Sequence, residues 1–279
     1  MSNPSMVILV ECPDAKGLVH SITSVLFEHQ LNIIENREFV DLVRNRFFMR
    51  TEVEGQVGAD SLRLALEKKL PEGSLVRVGS LMPKKIILMV TKEHHCLSDL
   101  LYRHYFNEIN AKILAVISNY EDLRPYTEMF GIPFHVVSHE GLRREQHEEQ
   151  VMEYLKRYDV DYIVLAKYMR ILSPEMVAHY KHKMINIHHS FLPAFVGANP
   201  YRQAWERGVK IIGATAHFVT EDLDEGPIIT QNIVPVDHHY GVSEMAKAGK
   251  EVERQVLADT LRLVFSDRVM VNGRKTVVF

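Results

Sequence analysis

Asn186 and His188 stand two residues apart in the apolar run MINIH. On a strand, a two-residue step points both side chains to one side while Ile187 turns to the other. An amide and an imidazole placed this way are two hydrogen-bond donors that can meet a single carbonyl. Acyl transfer needs such donors where negative charge develops on oxygen, and it needs a group that moves protons. A carboxylate for the second task stands in EDLDEGP, where Asp224 follows the strand-like run ending near Val219. Asn186, His188 and Asp224 are therefore the candidate catalytic set, with protonated His188 as the second donor and Asp224 as general base or proton relay.

Plainer readings stand beside this one. A chain with 15 histidines places several side by side without purpose, and His189, His94, His95, His238 and His239 are read as surface or core residues. Glu221, Asp222, Asp224 and Glu225 equally fit a solvated acidic turn. Metal catalysis finds little support, because the run His147-Glu148-Glu149-Gln150-Val151 lacks the second histidine of a zinc motif and no cysteines are paired. His188, His189 and His217 could be gathered by folding, though nothing in their spacing requires it. Ser190 sits in HHSFL rather than in a G-x-S-x-G elbow, which argues against a serine nucleophile. No glycine occurs from Thr91 through Leu100, so the turn after the run KKIILMV lacks the usual means of cradling a phosphate.

The candidate residues need a scaffold, and the hydrophobic periodicity supplies two. Residues 6–12 read as a buried strand, and residues 17–29 as a helix with Leu18, Ile22, Val25 and Leu26 on one face. Strands follow at 33–40 and 47–53, the second alternating Phe47, Met49, Thr51 and Val53 with a wetter face of Phe48, Arg50 and Glu52. A helix marked by Leu62, Leu66 and Leu70 and a strand at 75–81 complete a βαββαβ, ferredoxin-like order. Pro83 and two lysines break the apolar pattern, which divides the chain into residues 1–83 and 84–279. Beyond them, strands at 86–90, 113–118, 134–137, 162–166 and 184–188 alternate with helical segments, including a charged one at 144–158. That alternation indicates an α/β, doubly wound and mostly parallel sheet, whose ligands bind where strands end. His188 lies at such an end, before a loop rich in proline and glycine. A strand pair at 211–219 and 228–236, a helix within 243–265 and a hairpin turning at Asn272-Gly273 close the chain.

Composition limits what these scaffolds serve. With 46% hydrophobic and 25% charged residues the 279-residue chain is an ordinary globular one. Thirty-three basic against 36 acidic residues, a net charge of -3, provide no field for coating nucleic acid. No apolar run is long enough to span a membrane, no secretory leader is expected at the start, and two cysteines fit a reducing cytoplasm.

The segments NIHHSFLPAF, HFVTEDLDEGPIITQ and KYMRILSPE together resemble the formyltetrahydrofolate-using transferase and hydrolase superfamily, over roughly residues 84–279. The superfamily's asparagine, the histidine two residues later and the aspartate of a D-x-G loop fall on Asn186, His188 and Asp224. His189 in place of a proline, and TKEHHCLSD in place of a glycine-rich loop, are similar to the deformylase branch rather than to transferases that bind a ribonucleotide. The resemblance implies hydrolysis of 10-formyltetrahydrofolate to formate and tetrahydrofolate, supplying one-carbon and purine metabolism, with no metal or other cofactor. It implies a pterin pocket lined by Met169, Arg170, Ile171 and Leu172 and by the 219–222 loop with Val219 and Glu221; Met169 and Leu172 equally fit a core. The segment DAKGLVHSITSVLFEHQLNI resembles an ACT domain, although Ala15 and Lys16 depart from its commoner loop. That resemblance implies an amino-acid effector and a homo-oligomer. It leaves open whether His189 selects water or fills space, and whether the acceptor is water or some other amine.

Overall fold

The computed structural model describes residues 5–194 and 200–279, so the 195–199 part of the expected proline- and glycine-rich loop lies outside the described residues. Two compact units are present. One comprises the chain up to Met82 together with Ser266–Asn272 and Val277–Phe279, and the other comprises Pro83–Phe265 with Gly273–Thr276. The expectation of a single second domain over 84–279 is corrected at its end, because the last residues pack largely within the first unit.

The first unit runs β1 (Ser5–Pro13), α1 (Leu18–Glu28), β2 (Asn32–Asp41), β3 (Arg46–Glu54), α2 (Ala59–Lys69) and β4 (Leu75–Ser80). Its four strands form an antiparallel sheet in the order β2-β3-β1-β4. Leu18, Ile22, Val25 and Leu26 of α1 and Leu62 and Leu66 of α2 recur at helical spacing and bury against Ile8, Val10, Met49 and Val53. The opposite face of the sheet departs from expectation. Phe48 is 0% and Arg50 2% exposed, where a wetter face was anticipated. Met270 and Val277, from far along the chain, pack with Val7, Leu9 and Phe48 there. Buried Arg50 is compensated by Glu35 at 2.9 Å and Glu52 at 3.4 Å, and it donates to the Ser266 carbonyl at 3.1 Å. Edge strand β2 remains largely uncovered, with Ile33, Ile34 and Phe39 exposed.

The second unit contains β5 (Lys84–Val90), α3 (His95–Tyr105), β6 (Ala111–Ser118), α4 (Arg124–Glu128), β7 (Phe134–Val136), α5 (Arg144–Leu155), β8 (Tyr162–Leu165), α6 (Pro174–His179), β9 (Met184–His188), α7 (Pro200–Arg207), β10 (Ile211–Phe218), β11 (Ile228–Pro235) and α8 (Val242–Phe265). Its seven strands are ordered β11-β10-β9-β8-β5-β6-β7. The five from β9 to β7 are parallel, and β10 runs antiparallel to both β9 and β11. Such strands are covered on both faces, which explains why they read as unbroken apolar runs such as KIILMV rather than as alternations. From β5 the chain winds outward through β6 and β7, then returns to add β8 and β9 on the other side. The winding direction therefore reverses between β5 and β8, and the loops leaving these two strands diverge around a crevice. Beyond the sheet, β12 (Val269–Asn272) and β13 (Lys275–Val278) form the hairpin expected from Asn272-Gly273, with Gly273 at a left-handed φ of 62°. Among the described residues no helix is long and apolar enough to cross a membrane.

Candidate active site

Strand β9 places Asn186 and His188 at the carboxyl edge of the sheet, with buried Ile187 between them. Its antiparallel neighbour β10 sets His217 directly across from Asn186. The Asn186 amide nitrogen lies 3.3 Å from His217 Nε2, while His217 Nδ1 is 2.9 Å from the Phe218 carbonyl oxygen. That carbonyl accepts from Nδ1-H, and Nε2 faces the Asn186 amide as acceptor for one of its protons. The amide is thereby oriented, and its second N-H is left for another acceptor. A register shift in the β10–β11 ladder falls between Ala216 and His217, the kind of bulge that re-aims a side chain at a sheet's functional edge.

Asp224 arrives from the loop joining β10 to β11. It adopts a left-handed backbone at φ 57°, a conformation that aspartate tolerates better than most residues. Two residues on, a Cβ at Gly226 would collide with the Phe218 carbonyl, so glycine allows the loop to fold tightly onto the end of β10. The Asp224 carboxylate then spans two imidazoles, Oδ2 lying 3.2 Å from His188 Nδ1 and Oδ1 lying 3.7 Å from His217 Nε2. Burial alone would raise its pKa, but the interactions led by the hydrogen bond from His188 Nδ1 outweigh burial and hold the carboxyl far below the usual range. Its neighbours behave differently. Glu221, Asp222 and Glu225 are exposed, Glu225 pairing with Arg274 at 2.6 Å, so the solvated-turn reading describes those three and not Asp224.

With Nδ1 facing Asp224, the remaining ring nitrogen of His188 is buried and has no partner. Asn186, His188 and Asp224 line a cavity of about 350 Å³, the size range of a small-ligand site. Met169, Arg170, Ile171, Leu172, Val219 and Glu221 line it too. Met169 and Ile171 are 59% and 56% exposed, which removes the core reading for Met169, whereas Leu172 also packs against the sheet's core.

Sequence reasoning passed over several residues here. The sequence suggests His217 only as a metal ligand, yet its ring lies against both Asn186 and Asp224. Lys167 lines the same cavity, and its ammonium lies 3.1 Å from the buried carboxylate of Glu253. Glu253 also meets His95 Nε2 at 2.7 Å and accepts a hydrogen bond from the Tyr201 hydroxyl at 2.7 Å. Burial opposes the charge on Glu253, but His95, Lys167 and Tyr201 prevail and bring its pKa down to about 2. His189 stacks on His188 with ring centres 4.8 Å apart. Burial, with the nearby charges of Lys167 and His188, pushes the His189 pKa down to about 4 and leaves the ring neutral near pH 7. Among the described residues, side chains grouped closely enough to hold a metal ion are His95, Cys96 and Glu253, and the exposed Asp237, His238 and His239. The first of these groups already has the Lys167 cation on its carboxylate.

The formyl transferase family matches residues 84–261, and the ACT domain matches residues 6–70. A formyltetrahydrofolate deformylase of Haemophilus influenzae is 52% identical over 272 residues, covering 98% of each chain. The chain belongs to the formyltetrahydrofolate deformylase family. It is a hydrolase acting on a C-N bond, and the reaction converts 10-formyltetrahydrofolate to formate and tetrahydrofolate. The crystal structure of a formyltetrahydrofolate deformylase from Pseudomonas syringae pv. tomato superposes with a TM-score of 0.96 at 40% identity, covering 100% of this chain and 95% of that one. The fold of the deformylase family's larger unit is shared more widely. Glycinamide ribonucleotide transformylase 1 from Symbiobacterium toebii matches 71% of this chain and 95% of its own, with a TM-score of 0.66 and 30% identity.

Proposed function

We propose that Asn186, His188 and Asp224 carry out the hydrolysis. Asn186 and protonated His188 donate hydrogen bonds to the formyl oxygen as it becomes an oxyanion, and each such donor contributes about 10²- to 10³-fold in rate. Asp224 steers the attacking water. The water oxygen bonds to the formyl carbon, the bond from that carbon to N10 breaks, and the proton released by water passes by way of Asp224 to N10. The observation that carries this reading is the clamp of Asp224 on His188 Nδ1, which leaves a buried, unpartnered Nε2 beside the cavity. His217 acts as a positioning residue that orients the Asn186 amide. The pterin lies against residues 169–172 and 219–222, with exposed Met169 and Ile171 offering apolar surface.

The reaction runs without a metal ion or cofactor, because the Asp224 oxygens already face imidazole nitrogens and the charge of the oxyanion is met by donors. The ACT domain binds an amino-acid effector, and the chain works as a homo-oligomer. The uncovered apolar edge strand β2 supports this, and a monomer in sedimentation at working concentration would count against it. Two buried free cysteines, Cys12 and Cys96, favour the reducing cytoplasm as its site of action. The deciding experiment measures formate release by Asn186→Ala and His188→Ala variants with a chelator present. Losses of about 10²-fold or more in kcat with native thermal stability support the assignment. Near-native turnover in either variant removes that residue from the mechanism.

A further inference from the structure

Hydrolysis and formyl transfer to an amine differ only in the nucleophile, and one fold serves both a deformylase and a transformylase. Discrimination must therefore lie in what surrounds the formyl carbon. The folate side of His188 is the 350 Å³ cavity. His189 and Lys167 stand at the wall of that cavity, and behind Lys167 come Glu253, His95 and Tyr201.

These residues occupy a particular place. In a doubly wound sheet a ligand enters the crevice at the reversal of strand order, which here lies between the ends of β5 and β8. Thr91, just past β5, donates from its hydroxyl to the Lys167 carbonyl just past β8, at 2.7 Å, and so bridges the crevice. His95 opens α3 after β5, Glu253 reaches in from α8 and Tyr201 from α7. His95 is 6%, Lys167 7% and Glu253 1% exposed.

The filling is energetically odd. Apolar side chains of equal volume would plug a crevice at equal or lower cost than a buried ion pair. Gly249, inside α8, is a poorer helix residue than alanine. A Cβ at that position would fall on the Tyr201 ring and hydroxyl, so glycine clears the room in which Tyr201 reaches Glu253 one turn further along. Two unfavourable choices thus converge on holding one carboxylate with all its partners in place.

We propose that the Lys167, Glu253, His95 and Tyr201 cluster restricts the nucleophile to water by filling the crevice through which an amine-bearing second substrate would approach the formyl carbon. The proposal rests on Asn186, His188 and Asp224 being the centre of reaction. Opening the crevice should let a small primary amine compete. Its nitrogen would bond to the formyl carbon, the bond to N10 would break, and the proton lost by the amine would end on N10, giving an N-formyl amide and tetrahydrofolate.

The test uses the full-length enzyme with 10-formyltetrahydrofolate and excess glycinamide, quantifying formate and N-formylglycinamide separately. Three variants open the crevice in different ways: Gly249→Ala displaces Tyr201, Tyr201→Ala empties its place, and a Lys167→Ala, Glu253→Ala double variant removes both charges together with most of their volume. The wild type should yield formate almost alone, and the ratio of formamide to formate should rise at least tenfold in any variant that folds. A purely structural role would lower both products together and leave their ratio unchanged, and that result in two folded variants overturns the proposal. Substantial formamide from the wild type overturns it as well. Failure of the catalytic assignment is read elsewhere, as undiminished total product from Asn186→Ala, so the two outcomes stay distinct.

Discussion

Asp224 Oδ2 lies 3.2 Å from His188 Nδ1, and this one contact decides which nitrogen of the imidazole is left for substrate. The ring cannot turn its other edge to the cavity without giving up the carboxylate. The carboxylate in turn is held by a loop that closes onto β10 through Gly226. Orientation thus passes from a tight turn to an acid and then to the donor beside the formyl oxygen.

Asp224→Asn should keep the fold, since asparagine also tolerates the left-handed backbone at this position. It removes the group that moves protons, and kcat for formate release should fall about 10²- to 10⁴-fold. Steady-state kinetics beside a thermal melt checks this, and a folded variant within tenfold of wild type would refute the assigned role.

Gly226→Ala should lower both stability and activity. The added methyl collides with the Phe218 carbonyl, and overpacking of this kind costs about 1–3 kcal/mol. The loop must lift away from β10 and take Asp224 with it. A reduced melting temperature together with reduced kcat is expected, whereas full activity would mean that the loop geometry does not set the carboxylate.

Met169→Ala separates binding from packing. Because the side chain is 59% exposed and lines the cavity, its truncation should leave the melting temperature within a degree or two. Loss of about 1 kcal/mol of apolar contact with the pterin would raise KM roughly fivefold with little change in kcat. An unchanged KM would move the pterin away from this wall.

Acid should destabilise the protein through Glu253. Its pKa is about 2 when folded against an ordinary 4.5, so its stabilising contribution is complete above pH 4.5 and is lost as pH falls toward 2. His189, pushed down from 6.5 to about 4, adds a penalty of the same sign that grows as pH drops below 6.5. The stability of wild type relative to a Lys167→Met, Glu253→Gln variant should fall steadily from pH 4.5 downward. A gap independent of pH would mean that the carboxylate is not held ionised.

The legible parts of this protein were those written in local spacing. Asn186 and His188 needed only the two-residue period of a strand, and Leu18, Ile22, Val25 and Leu26 only the period of a helix. His217 was not legible in that way, since its place opposite Asn186 depends on the register of an antiparallel pair inside an otherwise parallel sheet. Glu253, Lys167, His95 and Tyr201 come from four separate stretches, and each looks ordinary alone. The outer face of β3 misled for a related reason. Phe48 and Arg50 read as a wetter stripe, but Met270 and Val277 cover it, and no window around β3 contains them.

That cover has a bearing on how the polypeptide can be dissected. Since Ser266–Asn272 and Val277–Phe279 belong with the opening 82 residues, the hydrolytic portion is topologically an insertion within the ACT-like portion. An isolated N-terminal fragment would present Val7, Leu9 and Phe48 to solvent and tend to stick to itself. Grafting this ACT-like portion onto another protein would call for splicing at two points of the backbone instead of one.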